Sequence, residues 1–330
     1  MTAGAERIAG FDLLRAAAIF GVVWIHGCDT SVWALRASGL AGAAVPLFVL
    51  ASFFLMQHAA LRHPEEGAGA VLRKRLARLL PPYLFWSAAY VVVRAAKHAV
   101  LAGAAPLDVD WPAVVLLGGA SYQLYFIAAL MYWSGLFLPA ILWCGRCARG
   151  RGMAAWALAA AGLALLWAGQ RIAADLELAP AHSLFVHALG LTGFVPLGLA
   201  LALGRWRWPL DAPRRRALSV AAAVVAAAVA FGPLPSAWRP APLALALTVW
   251  AIYRDGGPMP EWVRRISTVS GGIAVGHGVF VEGLQTIAGA AGWPLDSAFA
   301  AVSVIGLAFG ASWATCAALY RAPGLRKWVS

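Results

Sequence analysis

The stretch Asp12-Leu-Leu-Arg15-Ala-Ala-Ala-Ile-Phe-Gly-Val-Val-Trp-Ile-His26 decides how the rest of the chain is read. It is apolar enough to enter a bilayer, yet it carries a carboxylate and a guanidinium at one end and an imidazole at the other. In a helix, Arg15 and His26 stand about three turns apart on one face, roughly 16 Å along the axis. Asp12 falls close to the same face. Two readings fit. The polar groups are the two flanks of a span, or they line a cavity within the membrane, where ionisable side chains pair with one another or serve function.

The whole chain agrees with a membrane setting. Of its 330 residues 62% are hydrophobic and 12% charged, about half the charge of a soluble protein. Sixteen Trp accompany long charge-free runs, as in proteins with interfacial aromatic belts. The formal charge of +12 does not point to nucleic acid, because the cations sit in short loops between apolar runs. The first run carries Asp12 and Arg15 and no Ala-x-Ala follows it, so it is expected to stay in the protein rather than act as a cleaved signal. Cys144 and Cys147 form a Cys-x-x-Cys with no second Cys or His pair nearby, a weak basis for redox or metal chemistry. No metal site is expected.

Apolar runs cover 11–29, 40–60, 80–101, 121–143, 153–170, 184–204, 217–233, 240–253, 266–288 and 297–320. The expected fold is an all-α polytopic membrane protein of about ten transmembrane helices. It is read as one membrane domain over 1–330, with no soluble domain. With a cytoplasmic N-terminus, 21 of the 26 Lys and Arg fall on the cytoplasmic side, leaving Arg36, Arg94, Lys97, Arg171 and Arg239. That bias favours N-in and C-in. Residues 111–145 exceed one span, so 111–120 either lie in the interface or re-enter. Residues 217–253, around four prolines, are either a tight hairpin or broken helices.

Several further motifs carry polar groups. Pro46 opens a run with Ser52 inside it. Ser52 bonds its own preceding turn or serves chemistry. Arg73, Lys74, Arg75 and Arg78 precede Pro81-Pro82. They anchor the chain to anionic lipid or hold phosphates, for which guanidiniums on one helical face are suited. Ser121-Tyr122-Gln-Leu-Tyr125 reads as an aromatic belt. Residues 270–285 place His277, Glu282 and Gln285 in one apolar run, and an intramembrane carboxylate points to function.

Taken in order, these motifs resemble the acyltransferase 3 family of integral membrane acyltransferases. Arg15 and His26 match its Arg-x10-His. Residues 46–54 match its Pro-Leu-Phe-Phe-Val-Leu-Ser-Gly-Phe, with Ser52 kept and Phe53 in place of Gly. Lys74, Arg75, Arg78 and Pro81 match its basic-then-Pro stretch. Residues 122–127 follow its Tyr-His-Leu-Trp-Phe-Leu loosely, with Gln123 for His and Tyr125 for Trp. Residues 270–277 are similar to its late Ser-Gly…His motif.

The resemblance implies O-acyl transfer, usually of acetyl from acetyl-CoA, to a hydroxyl of a carbohydrate or other envelope acceptor such as a lipid-linked sugar, at the cell inner membrane. On that basis His26 is the expected general base or acyl relay, supported by Arg15, Ser52 and Glu282. Arg73, Lys74, Arg75 and Arg78 are the expected holders of the CoA phosphates. Asp12, Tyr122, Tyr125 and His277 are the expected acceptor-side residues. The rival reading is a proton-coupled transporter built on the buried His and Glu.

Overall fold

The computed structural model describes residues 8–27, 40–101, 109–147, 150–175, 187–235, 238–254, 257, 259–293 and 297–329. Among the described residues the main α-helices are, in order, α1 (Ala9–Gly27), α2 (Ala44–Arg62), α3 (Ala68–Leu101), α4 (Tyr125–Leu136), α5 (Leu138–Arg146), α6 (Arg151–Asp175), α7 (Phe194–Arg207), α8 (Ala212–Phe231), α9 (Pro240–Tyr253), α10 (Glu261–Ala290) and α11 (Ala298–Arg321). No strand occurs among the described residues. Among the described residues six helical stretches are long and apolar enough to cross a bilayer, or seven if α4 and α5 form one bent span. Helix α9 is shorter, and α10 carries Glu261, Arg264 and Arg265 in its first turns and His277 and Glu282 further on.

The helices outrun the apolar runs where the flanking turns are charged. Helix α3 begins at Ala68 rather than near residue 80, and α8 begins at Ala212, capped by the Asp211 carboxylate accepting from Arg214 N at 3.0 Å. Hydropathy marks the lipid-immersed part of a helix, and cationic turns continue it into water. The apolar run 121–143 is split instead. Helices α4 and α5 meet at 49° beside Phe137, with Pro139 in the first turn of α5, a residue that interrupts the backbone ladder.

Both open segments of the sequence take definite form. Residues 113–117 make one π-helical turn ended by Gly118 at φ 78°. It is tied to α3 by the Tyr83 hydroxyl, which donates toward the Val114 and Val115 carbonyls and accepts from Gly118 N at 3.0 Å. Helices α8 and α9 form a hairpin. Arg239 closes its turn by donating to the Leu234 and Gly232 carbonyls at 2.8 and 3.0 Å.

The interior is built around α1, α2 and α10. Helix α1 packs on α10, α2, α9 and α11, and α2 packs on α7. Ile19, Leu50, Phe53, Phe54, Leu124 and Ile273 are fully buried between them. Two glycines set how closely α1 approaches its neighbours. A Cβ on Gly10 would overlap the backbone of Ala251 in α9, and one on Gly27 would come within 2.7 Å of Ile305 in α11. Outward faces are apolar too: Met153, Trp156, Phe231 and Phe299 are each more than two-thirds exposed. Such a surface suits lipid rather than water.

Candidate active site

Polar residues of several helices converge on two cavities. A cavity of about 550 Å³ is lined by Lys74, Arg75 and Arg78 of α3, Arg15 of α1, Ser52 of α2 and Ser267 of α10. Along α3 and α10 it extends as far as Pro82 and Ala274. A second cavity of about 580 Å³ takes over further along the same helices, lined by Tyr90, Arg94 and Lys97 of α3, Tyr122 ahead of α4, and Val279 and Glu282 of α10. His26 and His277 fall between the two.

The first cavity gathers three guanidiniums and one ammonium with a single carboxylate, Glu66, which pairs with Lys74. Like charges converging in a partly enclosed space favour an anionic guest. Arg75 is fixed at its centre. Its Nε donates to Ser134 Oγ of α4 at 3.1 Å, and its Nη2 donates to Ser52 Oγ of α2. Its guanidinium lies 5.7 Å from the Phe53 ring centroid. Ser134 in turn donates to the Leu130 carbonyl at 2.5 Å. The arginine therefore clasps α2, α3 and α4 together while facing the cavity. The Phe53 that replaces a family glycine is the ring under this guanidinium.

His26, near the end of α1, sits within the bundle. Its ring centroid is 4.5 Å from that of Tyr122 and 5.2 Å from that of His277, the latter pair stacked at 24°. His277 is fully buried, and its Nδ1 lies 3.1 Å from the Ile273 carbonyl one turn back. A ring nitrogen facing a carbonyl must carry the proton. In the neutral ring Nε2 then presents a bare lone pair, and it is buried without a hydrogen-bond partner.

The layer around the histidines is closed by α3. The Trp86 ring lies where a side chain on Gly276 would be. One turn further along α3, the Tyr90 hydroxyl donates to the Val275 carbonyl at 2.9 Å and accepts from Val279 N at 3.2 Å. Gln123 Nε2 donates to Tyr90 Oη and to the Val275 carbonyl, and Ser121 donates to its Oε1 at 2.7 Å. Gly278 is required here, since a Cβ would lie 2.8 Å from the Tyr90 hydroxyl. Gln123, at the family's His position, is thus a buried strut between α3 and α10.

The remaining expected site residues are placed as follows. Arg73 is exposed and does not line the first cavity. Asp12 is buried and accepts from Ser267 Oγ at 2.7 Å, which joins α1 to α10. Tyr125 faces His187, with ring centroids 6.4 Å apart, and lines neither cavity. Glu282 lines the second cavity, and among the described residues no ion pair joins it to a neighbour. Ser52 is held by Arg75, and no hydrogen bond joins it to His26 among the described residues. Ser134, Trp86 and Tyr90 were not singled out in the sequence. Ser134 is a lone hydroxyl in an apolar helix, the same signal that drew notice to Ser52.

No curated protein and no solved structure matches the chain. A family profile described as an acyltransferase domain does match, over residues 8–317. With nearly its full length covered by that profile and an all-helical, membrane-type architecture, the chain belongs to the acyltransferase 3 family of membrane acyltransferases.

Proposed function

We propose that the protein moves an acyl group, acetyl in the simplest case, from acyl-CoA to a hydroxyl of an envelope glycan or lipid-linked sugar. The observation that carries this reading is the sequence of groups along α1, α3, α4 and α10: cationic cavity, histidine pair, second cavity. The donor's phosphates bind at Lys74, Arg75 and Arg78 and its thin pantetheine arm points toward the histidines. The acceptor enters from the other side. With the termini cytoplasmic and about ten spans, the donor side faces the cytoplasm across a cell inner membrane.

The chemistry then follows from His26. As a general base it takes the proton of the acceptor hydroxyl while that oxygen attacks the thioester carbonyl. The C–S bond breaks, the thiolate leaves with the proton returned by the imidazole, and the products are an ester and CoA-SH. As a relay, His26 first accepts the acyl group on its ring and releases CoA-SH, and the hydroxyl then attacks the acyl-imidazole. In that second step His277, with its Nε2 lone pair available, takes the hydroxyl proton as the acyl C–N bond breaks, and the proton passes to the departing His26 ring, which restores both histidines.

The test uses the full chain in nanodiscs with acyl-labelled acetyl-CoA and envelope extract. Label is expected in a CoA-free product and absent with His26→Ala of normal expression. A His26→Ala protein with full activity removes His26 from the mechanism. Two cavities on either side of a buried histidine pair also fit alternating access in a proton-coupled carrier. Proton-driven solute uptake with the thioester left intact favours that reading.

A further inference from the structure

The second cavity runs against the charge pattern of the chain. With cytoplasmic termini, only five of the 26 basic residues are expected on the opposite side, and two of them, Arg94 and Lys97, line this one space beside His98. Tyr90, Arg94, Lys97 and His98 recur at helical spacing and share one face of α3. Among the described residues neither Arg94 nor Lys97 forms an ion pair, and Glu282 is the only carboxylate lining the cavity. The cations are in excess, in a recess that also touches Tyr122, whose ring lies tilted 4.5 Å from that of His26.

We propose that this cavity recognises an anionic acceptor, a sugar bearing a carboxylate or a phosphate, with Arg94 and Lys97 holding the anion. The assignment rests on the acyltransferase reading above. It also gives the geometry of selection. Tyr90 is bonded to α10 on either side of His277, at Val275 and Val279. Arg94 and Lys97 follow it by roughly 6 and 10 Å along α3. An anion held there leaves a hydroxyl on the far edge of the same molecule next to Tyr122 and His26. Neutral sugars of equal size lack the charge-assisted contact that fixes this orientation.

The same contacts suit the phosphate of a lipid headgroup, so the test separates the two. The full chain is placed in phosphatidylcholine nanodiscs, and binding of methyl glucuronide and methyl glucoside at equal millimolar concentration is measured by saturation-transfer NMR. The glucuronide is expected to bind about tenfold more tightly. The preference is expected to vanish in the double variant Arg94→Gln/Lys97→Gln, whose two positions are exposed, and to persist in Arg171→Gln, outside the cavity. Equal binding of the two sugars, or a preference that survives the double variant, overturns the proposal. Loss of glucuronide binding in phosphatidylglycerol nanodiscs overturns it as well, by assigning the cations to lipid. Acetyl-CoA titrated into the same samples reports the donor side separately. Its failure to bind sinks the acyltransferase reading and leaves the anion preference standing.

Discussion

The imidazoles of His26 and His277 stack 5.2 Å apart although 251 positions separate them in the chain. Helices α1 and α10 pack along their length to bring this about, and the buried Asp12–Ser267 hydrogen bond fastens their opposite ends. The pair has one ring pinned by a backbone carbonyl and one that, among the described residues, makes ring contacts. A ring oriented by a carbonyl, with its other nitrogen open, and a ring placed by aromatic neighbours are suited to different parts of a proton and acyl transfer.

His277→Gln keeps a polar side chain of similar length but removes the lone pair of a basic ring. Transfer is expected to fall by about 10²–10³-fold, the scale of a lost acid–base group, with the apparent KM for acyl-CoA nearly unchanged. A KM effect without a kcat effect would instead place His277 in donor binding.

Arg75 and Arg78 are expected to differ when altered. Arg78→Ala removes one cation from the cavity and raises the KM for acyl-CoA a few-fold. Arg75→Ala also severs the bonds to Ser52 and Ser134, each of which contributes about 1.5–3 kcal/mol when charge-assisted. It should therefore lower the thermal midpoint in detergent as well as donor affinity. Unchanged donor dependence in both variants defeats the phosphate assignment.

Gly276→Ala forces a methyl into the Trp86 ring. Overpacking of this kind costs about 1–3 kcal/mol, read as a lower melting midpoint. Replacing Trp86 by Leu in the same protein is expected to recover part of the loss. No loss in the single variant would mean that α3 and α10 are not in contact there.

Ser267→Ala leaves the Asp12 carboxylate short of one buried donor. The expected penalty is about 1–3 kcal/mol in stability, with activity per folded molecule largely retained. A selective loss of activity at full stability would move Asp12 from a joint between helices into the reaction.

The parts of the candidate site that depend on spacing within one helix are legible in the sequence. Arg15 and His26 lie where an eleven-residue interval puts them, and Arg75 with Arg78 share the face that lines the first cavity. What depends on a partner from another helix was not readable. Tyr122 reads as an interfacial belt residue until α1 is seen to place His26 beside it. Gln123 looks like a degraded motif position until Tyr90 and Val275 are brought to it. The motif resemblance places Tyr125 with Tyr122 on the acceptor side. The 3-10 turn Tyr122–Leu124 entering α4 turns it instead toward His187. Arg94 and Lys97 stood out only as exceptions to the charge bias, and the cavity gives those exceptions a common location.

The two glycine contacts of α1 have a mechanical consequence. Gly10 is wedged against α9 and Gly27 against α11, so the rod bearing Arg15 and His26 is clamped at both extremities and acts as a fixed anvil. Any breathing that admits or releases a reactant then falls to the opposing jaw. That jaw is α3 and α4, which Trp86, Tyr90 and Arg75 attach through side chains rather than through abutting backbones.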